Sequence, residues 1–200
     1  MTSIMVLYYS RHASVAELAA QVAQGVESVA ECEAIVRTVP PVSTIVESTG
    51  PGIPDSGDLY ARKDDLEQCD GLVLGSPTRF GTIASPLKYF FDQTAAEWLA
   101  GTLKDKPAGV FTSSASQHGG QESTLLGMML PLIHHGMVMV GLPYSGTVLS
   151  HTKGGGSPYG AGHVAGSDGN SPLHADEASL ARLLGRRVAN TAHLLKGRSL

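Results

Sequence analysis

The chain has 200 residues, 42% of them hydrophobic, and its apolar runs are short. These values suit one compact α/β domain over residues 1–200, because a chain of this size can bury most of its apolar surface. The formal charge of −4 argues against nucleic-acid binding, so we expect small molecules or copies of the same chain as partners. Cys32 and Cys69 have no CxxC spacing and the N-terminus has no signal sequence, so we expect a reduced, cytoplasmic protein without membrane contact.

Short apolar runs alternate with helical periodicities along the chain. The apolar runs predict five strands: Ile4–Tyr9, Glu33–Val39, Gly71–Gly75, Lys106–Thr112 and Gly136–Val140. The helical periodicities predict helices that begin near Val15 and Pro86, the latter continuing to Trp98, and helices at Asp64–Glu67, Gln121–His134 and Asp176–Leu195. This alternation predicts a doubly wound sheet that binds its ligand outside the carboxyl ends of the strands.

Two helix starts and two irregular segments complete this prediction. Ser85 before Pro86, and Asp176, are the predicted N-caps of their helices. The segment Pro41–Arg62 has no periodicity and is predicted to be irregular. The glycine-rich segment Ser150–Pro172 is longer than an ordinary connection, so it is either a wall of the active site or a subunit contact, or else a flexible insertion.

The loop between the first strand and the first helix is a candidate anion site. It consists of Ser10, Arg11, His12, Ala13, Ser14 and Val15. Its N–H groups and hydroxyls converge beside the positive end of a helix, where a phosphate would fit. An ordinary capped helix is the alternative interpretation. The loop has neither the Gly-Lys-Ser/Thr ending of a Walker loop nor the glycines of a dinucleotide fingerprint.

Two further loops should lie at the same edge of the sheet. The first follows the third strand and contains Pro77, Thr78, Arg79, Phe80 and Gly81. The second follows the fourth strand and contains Thr112, Ser113, Ser114, Ala115, Ser116, Gln117, His118 and Gly119. A planar cation and an aromatic ring in the first, and small polar residues in the second, would suit a flat aromatic cofactor, although proline and glycine also shape ordinary turns.

These segments resemble the WrbA family of flavodoxin-like NAD(P)H:quinone oxidoreductases, and the resemblance covers essentially the whole chain. Its most specific motifs are Gly75-Ser76-Pro77-Thr78-Arg79-Phe80-Gly81, Phe91-Asp92-Gln93-Thr94, Gly119-Gly120-Gln121-Glu122, His134-His135-Gly136-Met137-Val138 and Gly155-Gly156-Ser157-Pro158-Tyr159-Gly160. The resemblance implies a flavodoxin-like doubly wound five-stranded parallel sheet of strand order 2-1-3-4-5. It also implies a homotetramer whose neighbouring subunits wall each active site.

The same resemblance implies FMN as cofactor and NADH or NADPH as electron donor. FMN would place its phosphate in the loop 10–15, its ring against the loop 77–81 and its pyrimidine edge on the loop 112–119. His135 would contact the flavin region, and Trp98, His12 and Phe80 would join it in binding nicotinamide and quinone. The flavin would take two electrons from the nicotinamide, become a hydroquinone and pass them to the quinone by ping-pong kinetics, with no catalytic side chain.

Two departures from the family pattern concern the loops. The family's phosphate loop usually reads Ser-x-Tyr-Gly-His, so Ala13 stands in the place of a glycine and His12 in that of a tyrosine. A turn that needs positive φ at this position would be strained by alanine and would weaken FMN binding. The run Ser116-Gln117-His118 is one residue longer than usual.

Other chemistries have little support in the sequence. The eight histidines show no metal-binding spacing, and His151, His163, His174 and His193 are expected to be solvated or bonded to loops. No G-x-S-x-G elbow supports a serine hydrolase. The alternative functions are a flavodoxin-like electron carrier or regulatory flavoprotein without small-molecule turnover, and an FMN-dependent reductase of nitro or azo compounds.

Overall fold

The computed structural model describes residues 1–10, 13–42 and 52–197. Its strands are β1 Thr2–Tyr8, β2 Cys32–Thr38, β3 Gly71–Pro77, β4 Pro107–Ser114, β5 Val138–Met139 and β6 Ala161–Val164. Its helices are α1 Ser14–Glu27, α2 Lys63–Gln68, α3 Ser85–Asp92, α4 Ala95–Leu99, α5 Gln121–His134, α6 Thr147–His151 and α7 Ala175–Leu195. Residues 43–51 of the irregular segment predicted at Pro41–Arg62 lie outside the described residues.

The strands form one parallel sheet in the order β2-β1-β3-β4-β5, which confirms the flavodoxin-like prediction. Every residue of β3 and β4 is buried, as expected for central strands covered on both faces by helices. All strands run the same way, so the carboxyl ends of β1, β3 and β4 meet at one edge. That edge is called the rim below.

The position of a fifth strand is shared by two short segments, which corrects the predicted strand Gly136–Val140. β5 pairs with Pro107 and Ala108 at the beginning of β4, whereas β6 pairs with the end of β4 from Phe111 to Ser114. The chain leaves the sheet between them, so the predicted loop Ser150–Pro172 contains a strand that returns to the rim. Within the described residues, the sheet therefore has six strands rather than five.

Three helix boundaries also differ from the predictions. The long helix predicted to reach Trp98 divides into α3 and α4 because the Thr94 hydroxyl donates to the Phe91 carbonyl oxygen at 2.7 Å and competes with the helical pattern. Ala84, not Ser85, is the N-cap of α3. His174, not Asp176, caps α7, since its Nδ1 accepts from the Asp176 amide at 3.3 Å while Glu177 accepts from the His174 amide.

Two apolar cores, one on each face of the sheet, hold the helices that carry the rim. α1 and α7 cover one face and cross so closely that a Cβ on Gly25 would lie 2.0 Å from the Arg182 carbonyl oxygen. A Cβ on Gly185 would likewise lie 2.1 Å from the Val22 carbonyl oxygen. This close crossing fixes the axis of α1, and with it the direction in which the helix presents its first turn.

Candidate functional site

A pocket of about 410 Å³ opens at the rim, and four chain segments line it. Three of these segments belong to the loops predicted from the sequence. The lining residues are Ser14, Val15, Pro77, Thr78, Arg79, Ser113, Ser114, Ala115, Gly119 and Ala165, Gly166, Ser167, Asp168, Gly169. The fold thus brings the anion loop and the two other predicted loops together around one space.

The end of the pocket at α1 is built for an anion. The N–H groups in the first turn of any α-helix have no partner within the helix, and in α1 no side chain of the described residues caps them. The hydroxyl Oγ of Ser10 is buried and has no hydrogen-bond partner among the described residues. An orphaned buried hydroxyl beside free helix donors would be satisfied by a phosphate group. The predicted residues Arg11 and His12 lie outside the described residues.

Ala13 precedes this helix with φ at 63° and ψ at −29°. The turn therefore does need the positive φ at which the family pattern has glycine. An alanine in this region costs about 1–2 kcal/mol relative to an ordinary backbone conformation. The backbone is accordingly strained at Ala13, the residue immediately before α1.

The segment after β3 forms a tight turn that projects Phe80 away from the protein. Arg79 and Thr82 exchange backbone hydrogen bonds at 2.9 and 3.1 Å, and the two residues between them, Phe80 and Gly81, have φ values of 51° and 79°. Positive φ at both central positions defines a type I′ turn, which favours Asn, Asp or Gly there. Gly81 meets this preference, whereas Phe80 does not. Phe80 is fully exposed at its tip, so an aromatic face is available to a flat ligand.

The loop after β4 begins later in the chain than the sequence predicts. Thr112, Ser113 and Ser114 are buried strand residues rather than loop residues, which corrects the prediction. The Thr112 hydroxyl donates to the Ser76 carbonyl oxygen at 2.8 Å and faces away from the pocket lining. Ser116, Gln117 and His118 form a turn that does not line the pocket either.

Gln121, which the sequence analysis did not single out, positions this part of the rim. Its buried amide Nε2 donates to the Ser114 hydroxyl at 2.8 Å and to the His163 carbonyl oxygen at 3.1 Å. Ser114 in turn donates to the Ser116 carbonyl oxygen at 2.7 Å. One side chain of α5 thereby ties β4, its following turn and β6 together.

The segment after β6 is a fourth wall of the pocket, and it belongs to the glycine-rich segment Ser150–Pro172, for which a wall of the active site was one of the predicted roles. It is anchored through Glu177, a buried carboxylate that accepts from the amides of Gly155, Val164 and His174 and from the His163 imidazole at 2.8–2.9 Å. Burial alone would raise the pKa of Glu177, but these hydrogen bonds outweigh it and lower the pKa to about 2. His163, expected to be solvated or loop-bonded, is fully buried and bonded to a loop through the Ser171 carbonyl oxygen.

Trp98 and His135 lie away from the pocket of their own chain. α5 begins at the rim and its 14 residues run to the opposite edge of the sheet, about 20 Å away. At that edge the Trp98 ring stacks on His134 with centroids 5.4 Å apart, and its Nε1 donates to the His134 carbonyl oxygen at 2.9 Å. One chain therefore places Phe80 at the rim and the two other described candidate substrate residues at the far end of α5.

His135 is nearly buried at that far end. The Thr94 hydroxyl donates to the Phe91 carbonyl oxygen, so the Thr94 oxygen accepts a hydrogen bond from the His135 Nε2–H at 3.0 Å. The ring Nδ1 is buried without a partner among the described residues. Burial, with a smaller effect of His134, lowers the pKa of His135 below its ordinary value.

A larger pocket of about 1030 Å³ adjoins the Phe80 turn. Its walls are mostly apolar or aromatic, among them Tyr9, Ile83 and Tyr89, and it shares Arg79 with the smaller pocket. Flat organic molecules would find apolar surface here next to the exposed Phe80 ring.

Within the described residues, no group of histidine, cysteine and acidic side chains is arranged to hold a metal ion. None of the helices in that part of the chain is long and apolar enough to cross a membrane. Both cysteines are buried free thiols. The rim pocket is the candidate functional site. Its residues fit a flavin mononucleotide with the phosphate at α1.

Comparison with known proteins identifies the family of the chain. Residues 3–148 match the family model of NADPH-dependent FMN reductases. A protein of Solidesulfovibrio magneticus named NAD(P)H dehydrogenase (quinone) is 40% identical over 97% of this chain and 99% of its own length. A protein of the same name from Geobacter sulfurreducens is also 40% identical, over 98% and 100%.

A solved structure supports the fold independently. The flavodoxin, WrbA-like protein from Agrobacterium tumefaciens superimposes with a TM-score of 0.64 at 24% identity, over 97% of this chain and 99% of that one. The family match and the anion site at α1 together assign FMN as the cofactor. The chain belongs to the family of NADPH-dependent FMN reductases.

Proposed function

We propose that the protein is an FMN-dependent NAD(P)H:quinone oxidoreductase, which reduces quinones to hydroquinones in two-electron steps. The observation that carries the proposal is the rim, where the Ser10 hydroxyl is buried without a partner among the described residues and no described side chain caps the start of α1. Phe80 is fully exposed in the turn after β3 at the same edge of the sheet. The names of both relatives at 40% identity support quinone as the electron acceptor.

In this proposal the residues of the rim hold and orient the cofactor. Ser10, Ser14 and Val15, with Arg11 and His12 beside them, bind the phosphate through amides and hydroxyls. Thr78, Arg79 and Phe80 contact the ring, and the pocket-lining residues Ser113, Ser114, Ala115 and Gly119 meet its pyrimidine edge. Bound FMN supplies the two-electron redox chemistry, and amide donors at the pyrimidine edge stabilise the negative charge that develops there.

A homotetramer forms part of the proposal. Five exposed apolar side chains, called the apolar patch below, lie on α4 and α5: Trp98, Leu99, Leu126, Leu130 and Ile133. The three on α5 follow helical spacing and share one face, and such patches mark protein interfaces. Trp98 and His135 can reach a flavin only in a neighbouring subunit, because α5 keeps them about 20 Å from their own rim.

Nicotinamide and quinone then use the space beside the Phe80 turn one after the other. The apolar walls of the larger pocket suit the flat, weakly polar ring of a quinone. Alternation at one space predicts ping-pong kinetics. We place this activity in the cytoplasm, where NADH and NADPH are available and free thiols such as Cys32 and Cys69 stay reduced.

The test is a two-stage stopped-flow experiment with the FMN-loaded chain. NADH or NADPH should bleach the flavin absorbance, and benzoquinone should restore it. Steady-state rates with both substrates varied should give parallel double-reciprocal lines. Converging lines would contradict alternation, and a flavin indifferent to both nicotinamides would identify an electron carrier instead of an enzyme.

A further inference from the structure

The segment from Ala165 to Gly169, called the glycine turn below, is the fourth wall of the rim pocket. The Gly169 amide donates to the Gly166 carbonyl oxygen at 3.2 Å, and both glycines have positive φ. The turn is joined to β4 because the Ala165 amide donates to the Ser114 carbonyl oxygen at 2.8 Å. It therefore stands beside the pocket residues of β4 as a continuation of the sheet edge.

Buried polar groups hold both ends of the glycine turn in place. Val164, just before the turn, donates its amide to Glu177 at 2.9 Å. Ser171, just after it, donates its amide to the Ala165 carbonyl oxygen at 2.9 Å and accepts from the His163 imidazole at 3.1 Å. His163 is in turn paired with Glu177 at 2.8 Å, and both side chains are buried. The wall is thus preorganised by the protein before any ligand arrives.

The Asp168 carboxylate gives this wall a negative charge, which determines the kind of ligand group that the wall can bind. Its Oδ1 accepts from the Asn170 amide at 3.2 Å, and the side chain is exposed in a pocket that opens to solvent. A carboxylate repels a phosphate dianion but accepts hydrogen bonds from hydroxyl groups. The phosphate is already provided for at α1, so the uncharged polyhydroxyl part of the cofactor is the chemistry that suits Asp168.

We propose that the glycine turn binds the ribityl chain of the flavin, with the Asp168 carboxylate accepting hydrogen bonds from its hydroxyl groups. This inference rests on the proposed function, which puts FMN in the rim pocket. It adds a ligand-binding residue in a segment that is far in sequence from the three predicted loops.

The test compares three flavins on the full chain freed of its cofactor: FMN, riboflavin, which lacks the phosphate, and lumiflavin, which lacks the ribityl chain as well. Dissociation constants come from the quenching of flavin fluorescence. Asp168→Ala should weaken FMN and riboflavin by the same factor, about tenfold, because a hydrogen bond to a charged group is lost in both. Lumiflavin binding should not change.

Two further variants make the comparison specific. Asp176→Ala removes the same charge from the first turn of α7, outside the pocket lining, and should leave all three affinities unchanged. Asp168→Asn keeps a neutral acceptor and the bond to the Asn170 amide, so FMN and riboflavin should weaken by only about two- to threefold.

Asp168→Ala binding FMN more tightly while riboflavin stays unchanged would overturn the inference, because Asp168 would then face the phosphate. Unchanged affinities for FMN and riboflavin would also overturn it, while leaving the proposed function intact. A wild-type chain that takes up no FMN would remove the proposed function itself, which is a separate and distinguishable result.

Discussion

The surroundings of the two ends of α5 differ in their unpartnered polar groups and their exposed apolar side chains. At the rim end, no described side chain caps α1 and the Ser10 hydroxyl has no partner among the described residues, while Ala13 and Phe80 have strained positive φ. At the far end, aromatic rings stack, the Trp98 N–H is bonded, and large apolar side chains are exposed. The rim end is shaped for a small polar ligand, and the far end for another protein surface.

The largest expected effect concerns the wall of the rim end that Glu177 anchors. Its pKa of about 2 lies below the ordinary value of 4.5, so its contribution to stability is present above pH 4.5 and is lost as the pH falls towards 2. Glu177→Gln should lower the free energy of unfolding at pH 7 by about 3 kcal/mol, since buried donors lose a charged acceptor. Urea unfolding at pH 7 and at pH 3 measures both effects.

The control for this prediction is Glu122→Gln, at an exposed acid in the first turn of α5. Its stability should match that of the wild type at pH 7. Equal stability of Glu177→Gln and wild type at pH 7 would mean that the buried carboxylate does not hold the rim.

The second prediction tests whether the rim end is an anion site. Ser14→Asp places a carboxylate in the first turn of α1, where it favours the helix without ligand but repels a phosphate by several kcal/mol at short range. FMN affinity should fall about a hundredfold, while riboflavin affinity and the melting temperature of the flavin-free chain should not fall. Ser14→Asn, which has similar size and no charge, should bind FMN nearly as well as the wild type. An unchanged FMN affinity of Ser14→Asp would mean that the phosphate does not bind at the start of α1.

The third prediction addresses the far end. Trp98→Ala should leave FMN affinity unchanged but shift the protein towards smaller oligomers and lower kcat/KM for quinone about tenfold, because an aromatic anchor leaves the apolar patch. Sedimentation velocity and steady-state kinetics report the two effects. Leu194→Ala removes an exposed apolar side chain of α7 and should change neither. Weakened FMN binding with an unchanged assembly would contradict the division between the two ends.

The smallest effect is expected from relieving backbone strain. Ala13→Gly permits positive φ at no steric cost and should stabilise the flavin-free chain by up to about 1 kcal/mol and strengthen FMN binding a few-fold. Ala16→Gly, inside the first turn of α1, should destabilise it by about 1 kcal/mol. Thermal unfolding and flavin titration separate the pair, and a destabilised Ala13→Gly would show that the turn is not strained.

Much of the fold could be predicted because apolar runs and helical spacing record burial on both faces of a parallel sheet. The central strands β3 and β4, helix α5 and the family resemblance are confirmed. The divided fifth strand could not be predicted, because β6 contains Gly162 and His163 and is defined by its pairing with the end of β4. Nothing local in the sequence records a partner about fifty residues away.

The site was predictable to a similar degree. The motifs identified the loops after β1, β3 and β4. The glycine turn was covered only by the alternatives given for Ser150–Pro172, because its place depends on the Ala165 amide and the buried Glu177. The available signal was the turn-forming sequence Gly166-Ser167-Asp168-Gly169 after a short apolar run. The sequence could not show that Trp98 lies far from the rim. The motifs imply one shared site, whereas the structure places their residues near opposite ends of α5.

Titration calorimetry of the flavin-free chain, first with FMN and then with riboflavin, tests the central claim most directly. We predict that FMN binds at least tenfold more tightly than riboflavin, because the free donors of α1 and the Ser10 hydroxyl recognise the phosphate. Equal affinities for the two flavins, or no heat of binding with FMN, would contradict the account.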